Sequence, residues 1–165
     1  MNGPAAEFVA RLDGVERRLA GHATAKPAGG LTQPDPPSGE RWDWGQVWAH
    51  LGEFVPYWVG EVRKILSRSA GEDPVPFGRV KADPVRVAAI EADRDRPPSE
   101  LMARLDGQLG DLRALLGQMS EADWRRHGLH STLGIMDMPR IVREFLVGHL
   151  EAHADQLEGL RSGSG

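Results

Sequence analysis

The 165-residue sequence contains no cysteine. That excludes disulfides, thiolate nucleophiles and cysteine-ligated zinc ribbons. No apolar run reaches the ~18 residues that a membrane span needs. There is no basic cluster, and the formal net charge is −4; both argue against nucleic acid or an anionic membrane surface as partner. The N-terminal MNGPAAEFVARLDG has acidic residues and no apolar signal core, so secretion is not expected and a cytoplasmic location is. Strand-like alternation is missing at useful length, and so is any internal repeat. The lone Gly29-Gly30 pair is too little for a phosphate loop.

What the sequence does contain is four apolar stripes of helical period. The first holds Phe8, Val9, Leu12, Val15 and Leu19. The second begins near Trp44 and runs through Val47, Trp48, Leu51, Val55, Trp58, Val62 and Ile65. The third holds Leu101, Leu105, Leu109, Leu112, Leu116 and Met119, and the fourth Val142, Phe145, Leu146, Leu157 and Leu160. Four amphipathic helices of ~15 to 25 residues in a chain of this length predict an all-α protein, a single four-helix-bundle domain over residues 1–161 with a flexible tail at 162–165. Asp43 with Gln46 predicts a capping box before the second helix, Ser99 a cap for the third, Ser120 with Asp123 a short helical turn, and Asp137 with Pro139 the start of the last helix. The connections 21–41 and 69–84 are long and rich in proline and glycine, the second extending as loop with one helical turn up to Pro97. Loops of that length in a compact domain are functional or disordered.

The last stripe carries two histidines, His149 and His153, four residues apart. At about 100° per residue from Val142, His149 falls near 340° and His153 near 20°, in the middle of the apolar stripe, whereas Glu144, Glu151, Asp155 and Glu158 lie opposite. Two imidazoles in a core need partners for four ring nitrogens. Hydrogen bonding alone is one account; convergence on a metal ion is the other, and it requires a third ligand. His50, in WDWGQVWAHLGEFVPYW, lies on the flank of the second stripe, and Pro56 predicts a kink just beyond it. His22, next to a Gly/Pro loop, reads as solvated, and His127 and His130 as surface loop residues.

With WDWGQVWAHL on the second helix and FLVGHLEAHADQL on the last, the chain resembles the DinB-like, or YfiT-like, superfamily. The resemblance implies a bundle of that type in which three histidines from two helices hold one divalent ion, zinc or nickel, with water completing the shell. The matching positions here are His50, His149 and His153. Family members with known chemistry use low-molecular-weight thiols such as mycothiol or bacillithiol. The resemblance therefore implies an S-transferase that joins a thiol cosubstrate to a small electrophile, with a metal-dependent hydrolase or a non-catalytic metal- or small-molecule-binding stress protein as alternatives. Three neutral imidazoles leave a coordination position open, as catalytic sites do, and a protein without cysteine must borrow any thiol it uses. Glu53 and Glu61 could orient a ligating ring or act as a base, and read equally well as solvated helix charges. Arg79 and Lys81 could meet an anionic ligand, or simply face water. The five tryptophans read as packing residues, and Trp42, Trp44 and Trp124 are numerous enough at helix ends to suggest a homodimer.

Overall fold

The computed structural model describes residues 3–163. Its long helices are α1 (Pro4–Thr24), α2 (Trp44–Ser67), α4 (Pro98–Gln118) and a last rod made of α6 (Met138–Val142), a π turn (Arg143–Val147) and α7 (Gly148–Ser162). Between them lie β1 (Val75–Phe77), α3 (Pro84–Asp93), α5 (Glu121–Trp124), β2 (His127–His130) and β3 (Gly134–Asp137). α1 packs against α4 and α7, and α2 against the same two. The bundle therefore runs α1–α4–α2–α7 around its axis. α1 and α2 are diagonal, which is why the 25–43 connection has to be long. Apolar positions at helical spacing fill the middle, with Phe8, Leu12, Leu19, Trp48, Leu51, Phe54, Leu105 and Leu109 almost wholly buried.

The start of α2 is set as the sequence predicts. Asp43 accepts from the Gln46 amide at 2.8 Å, and the Gln46 side chain accepts from the Asp43 amide at 3.0 Å. Asp137 likewise caps α6, and Ser120 with Asp123 forms the box that starts α5. Pro56 lies inside α2, and the carbonyl it leaves without an amide, that of Gly52, accepts from Gln108 Nε2 at 2.9 Å. A side chain of the neighbouring helix thus replaces the missing ladder bond.

Several expectations are corrected. Ser99 does not cap α4: the helix starts at Pro98, whose absent N–H needs no cap, and Pro97 occupies the N-cap position. The segment before Pro97 is more than one turn, because Asp83 accepts from the Val85 and Arg86 amides and starts the ten-residue α3. A small sheet exists, with β1 parallel to β2 and β2 antiparallel to β3. Its strands of three and four residues are too short for an alternation to register. Ser162, expected in the tail, is helical, and Gly163 closes α7 in the left-handed conformation; the rest of the expected tail, 164–165, lies outside the described residues. Trp42 and Trp44 are buried and Trp124 stacks on Phe8 at 5.9 Å, so all three pack within their own chain.

α3 docks its end on the beginning of α2. Arg94 donates to Asp43 Oδ2 at 2.5 Å, and a Cβ built on Gly45 would stand 2.1 Å from the Arg94 carbonyl oxygen. Backbone cannot retreat from backbone there without undoing the cap. Gly14, in the middle of α1, has nothing within 4 Å of its virtual Cβ. Gly45→Ala should therefore cost about 2 kcal/mol of stability, and Gly14→Ala should add about 0.5 to 1 kcal/mol. Urea unfolding of the two variants checks both signs.

Candidate metal centre

The second and last helices face one another through their histidines. His50 Nε2 lies 3.1 Å from His149 Nε2, and His153 Nε2 lies 3.0 Å from the same atom. One ligand atom from each ring falls within 4.8 Å of the others. His50 and His153 are buried; His149 is partly buried and is the ring through which the cluster reaches the surface.

The outer nitrogens determine what the inner ones present. His50 Nδ1 faces Glu53 Oε2 at 3.2 Å, and His153 Nδ1 faces Gln156 Oε1 at 2.7 Å. Both partners accept, so each ring carries its proton on Nδ1 and turns a lone pair on Nε2 toward His149. His149 Nε2 has at most one proton when neutral. Protonated, it donates to one neighbour and leaves the other's lone pair without a donor; in the other tautomer three lone pairs come together. Glu53 is held in turn by an ion pair with Arg79, whose guanidinium carbon lies 3.9 Å from the centre of the Tyr57 ring. Burial pushes the Glu53 carboxyl above its ordinary value while Arg79 opposes the shift.

Aromatic rings close the sides. Phe54 meets His149 edge-on at 4.5 Å. Trp42 meets His50 edge-on at 4.8 Å and stacks on His153 at 5.8 Å. Trp42 is fixed by Thr32, whose Oγ1 accepts from the Trp42 amide at 2.9 Å while its own amide donates to the Trp42 carbonyl at 2.8 Å. The long α1–α2 connection is thereby pinched shut over the cluster.

The π turn ends at Val147, two residues before His149. The Gly148 amide donates to the Arg143 carbonyl, and a Cβ at Gly148 would lie 2.5 Å from that oxygen. The extra residue in this turn rotates everything after it by about 100° relative to a regular helix. A projection carried from Val142 therefore places His149 mid-stripe, whereas the structure has it on the flank, facing α2.

The remaining histidines divide differently from expectation. His127 is exposed, as its loop position suggests. His22 is buried, not solvated: it lies edge-on to Trp44 at 6.2 Å and accepts on Nδ1 from Arg161 at 3.2 Å. His130 is also buried, on the inward side of β2 and stacked on Phe145 at 5.1 Å, because strand alternation turns it toward the bundle. Its Nδ1 accepts from the Thr132 and Leu133 amides at 3.3 Å, and its buried Nε2 has no hydrogen-bond partner among the described residues. Glu61 belongs elsewhere: it accepts from the Gly78 amide at 2.5 Å and from Lys64, tying the β1–α3 loop to α2. Trp42 and Gln156 are the residues at the cluster that sequence reasoning missed. A glutamine three positions after His153, on the same helix face, was the available signal for one of them.

Burial, and then the neighbouring imidazoles, depress His50 and His149 well below the ordinary histidine value; burial depresses His153 to about 4. The unfolded chain binds these protons near pH 6.5 and the folded chain refuses them. Stability of chelator-treated protein is thus fully present above about pH 6.5 and falls as pH drops toward 4, with His153 alone accounting for about 3 kcal/mol. Urea titrations between pH 7.5 and 4.5 measure the fall, and a midpoint independent of pH would contradict it.

The family model of the DinB superfamily matches residues 11–157. No curated protein sequence matches the chain. Among solved structures, YfiT from Bacillus subtilis, described as a probable metal-dependent hydrolase with an unusual four-helix bundle topology, superposes with a TM-score of 0.72 at 18% identity, covering 98% of this chain and 87% of that one. A mycothiol-dependent maleylpyruvate isomerase superposes with a TM-score of 0.68 at 13% identity over 94% of this chain, which spans 61% of the isomerase. A protein from Streptococcus pneumoniae gives 0.66 at 12% identity, with coverages of 98% and 92%. At these identities the neighbours show the fold, a DinB-type four-helix bundle, and the family match extends over most of the chain: the protein belongs to the DinB superfamily.

Proposed function

We propose that this protein is a divalent-metal-dependent enzyme, a thiol-dependent S-transferase acting on small electrophiles, with His50, His149 and His153 as the ligands of one zinc or nickel ion. The observation that carries the reading is the convergence of three Nε2 atoms, two of them compelled by Glu53 and Gln156 to offer lone pairs. Neutral imidazoles arranged in this way repel one another and suit a cation. Separations of 3.0 and 3.1 Å between nitrogens are close to the ~3.3 Å expected for two tetrahedral ligands about 2.05 Å from zinc. When bound, such an ion would supply Lewis acidity, lowering the pKa of a thiol or water in the open position.

The chain's own residues have the supporting tasks. Glu53 and Gln156 orient two rings and fix their tautomers. Arg79 balances the Glu53 charge, so the carboxylate holds His50 without bringing net negative charge to the site. Trp42 and Phe54 exclude water from two sides and leave the His149 side open. The chain has no cysteine, so the nucleophilic sulfur has to come from a low-molecular-weight thiol, which is consistent with the mycothiol dependence of the isomerase with the same fold. YfiT's description favours a second reading, hydrolysis without a thiol.

Purified protein should carry about one zinc or nickel ion per chain by elemental analysis. His149→Ala should lower the metal content at least tenfold with the helical signal intact, because the core around it is apolar. His127→Ala should leave it unchanged. The metal-loaded protein should conjugate a bacterial thiol to a haloaromatic or an epoxide, and His149→Ala should abolish the rate. Ester or amide turnover without thiol, lost on chelation, would establish the hydrolase instead. Failure to bind any first-row metal after reconstitution would end both readings.

A further inference from the structure

Arg86 has no task in the function proposed above, yet it is among the most deeply buried charges near the histidines. Its side chain is 8% exposed. One nitrogen donates to the Lys81 carbonyl at 2.7 Å, and the guanidinium carbon lies 5.3 Å from the centre of the Trp42 ring. That is the ring which meets both His50 and His153. The Arg86 charge acts on all three imidazoles, behind burial in each case, helping to hold them unprotonated.

A buried guanidinium ordinarily sits in contact with a carboxylate. Arg126 does so here, with Asp73 at 2.7 Å, and Arg79 does so with Glu53. Arg86 does not: its carboxylate is Glu40, 3.6 Å away, beyond hydrogen-bonding distance and 37% exposed. Of the other charges around the cluster, Glu53 is paired with Arg79 and Asp35 with Lys81, and Asp83 is held by the Val85 and Arg86 amides. A divalent ion on three neutral imidazoles would add positive charge beside Arg86 without any matching anion. The Arg86 guanidinium therefore has no carboxylate within hydrogen-bonding distance, and the planar fork of an arginine matches one.

We propose that Arg86, seated on Trp42, is the carboxylate-recognition residue of this site, so that the small molecule bound at the histidines carries a carboxylate. The inference rests on the metal-centre reading for where the ligand binds, and its test separates the two. Zinc content is measured first. On zinc-loaded protein, titration calorimetry then compares 3-mercaptopropionate with 2-mercaptoethanol, which share a thiol and differ in the carboxylate. Wild type should prefer the carboxylate by about tenfold, or ~1.4 kcal/mol. R86Q should bring the two ligands within about twofold at unchanged zinc content, and R86K should fall between, since it keeps the charge and loses the fork. If R86Q does not fold, R86K alone decides, with at least a threefold loss of preference expected. On zinc-free protein, propionate should shift the Trp42 indole resonance in wild type and not in R86Q or R86K. This arm decides the carboxylate question if wild type holds no zinc, an outcome that would itself sink only the metal centre. Equal binding of the two thiols by wild type, or an undiminished preference in folded R86Q or R86K, overturns the proposal.

Discussion

Two imidazoles that cannot turn their lone pairs away from a third govern this structure. The Nδ1 atoms of His50 and His153 are committed to acceptors on their own helices, three residues further on in each case. That commitment fixes the charge distribution at the centre of the bundle before any ligand is considered. It also explains a chain of secondary arrangements. Glu53 needs Arg79, Arg79 lies over Tyr57, and the loop bearing Arg79 is anchored through the Gly78 amide to Glu61. Residues without contact to the histidines are thus required for their geometry.

Most of the bundle was legible because helical period and caps are local signals. Asp43 with Gln46, Ser120 with Asp123, and Asp137 all act within four residues, and all form as read. The juxtaposition of His50 with His149 across 99 positions was reached through resemblance and was not derivable from spacing alone. What escaped depends on pairing between distant segments. Val75–Phe77 becomes a strand only because residues 127–130 lie beside it, and Pro76 within it argues against a strand on composition alone. His130 then faces inward because of that pairing, and His22 is buried because Trp44 and Arg161 come to it from other elements.

The angular projection for the last helix gives the right orientation, both histidines turned toward the second helix, by steps the structure does not follow. It assumed uniform 100° steps from Val142 to Leu160, and a π turn interrupts them at Arg143–Val147. The histidines remained correctly placed relative to each other, since both follow the interruption. Their relation to Val142 and Leu146 did not. Glycine at 148 is the only trace of the π turn in the sequence, and glycine has too many other reasons to occur.

The ring order α1–α4–α2–α7 has a consequence for how the chain reaches its fold. Up-and-down bundles gain stability from hairpins between successive helices, which close short loops and form early. Here α1 cannot form such a hairpin with α2, because they are diagonal, and its partners begin at residues 98 and 148. Arg11 meets Glu151, and Arg18 meets Asp155, across some 140 positions. The N-terminal helix of a nascent chain therefore has no complete surface to dock on until the last helix has left the ribosome. Such long-range pairing raises the contact order of the domain above that of an up-and-down bundle of the same helical content, which favours slower folding.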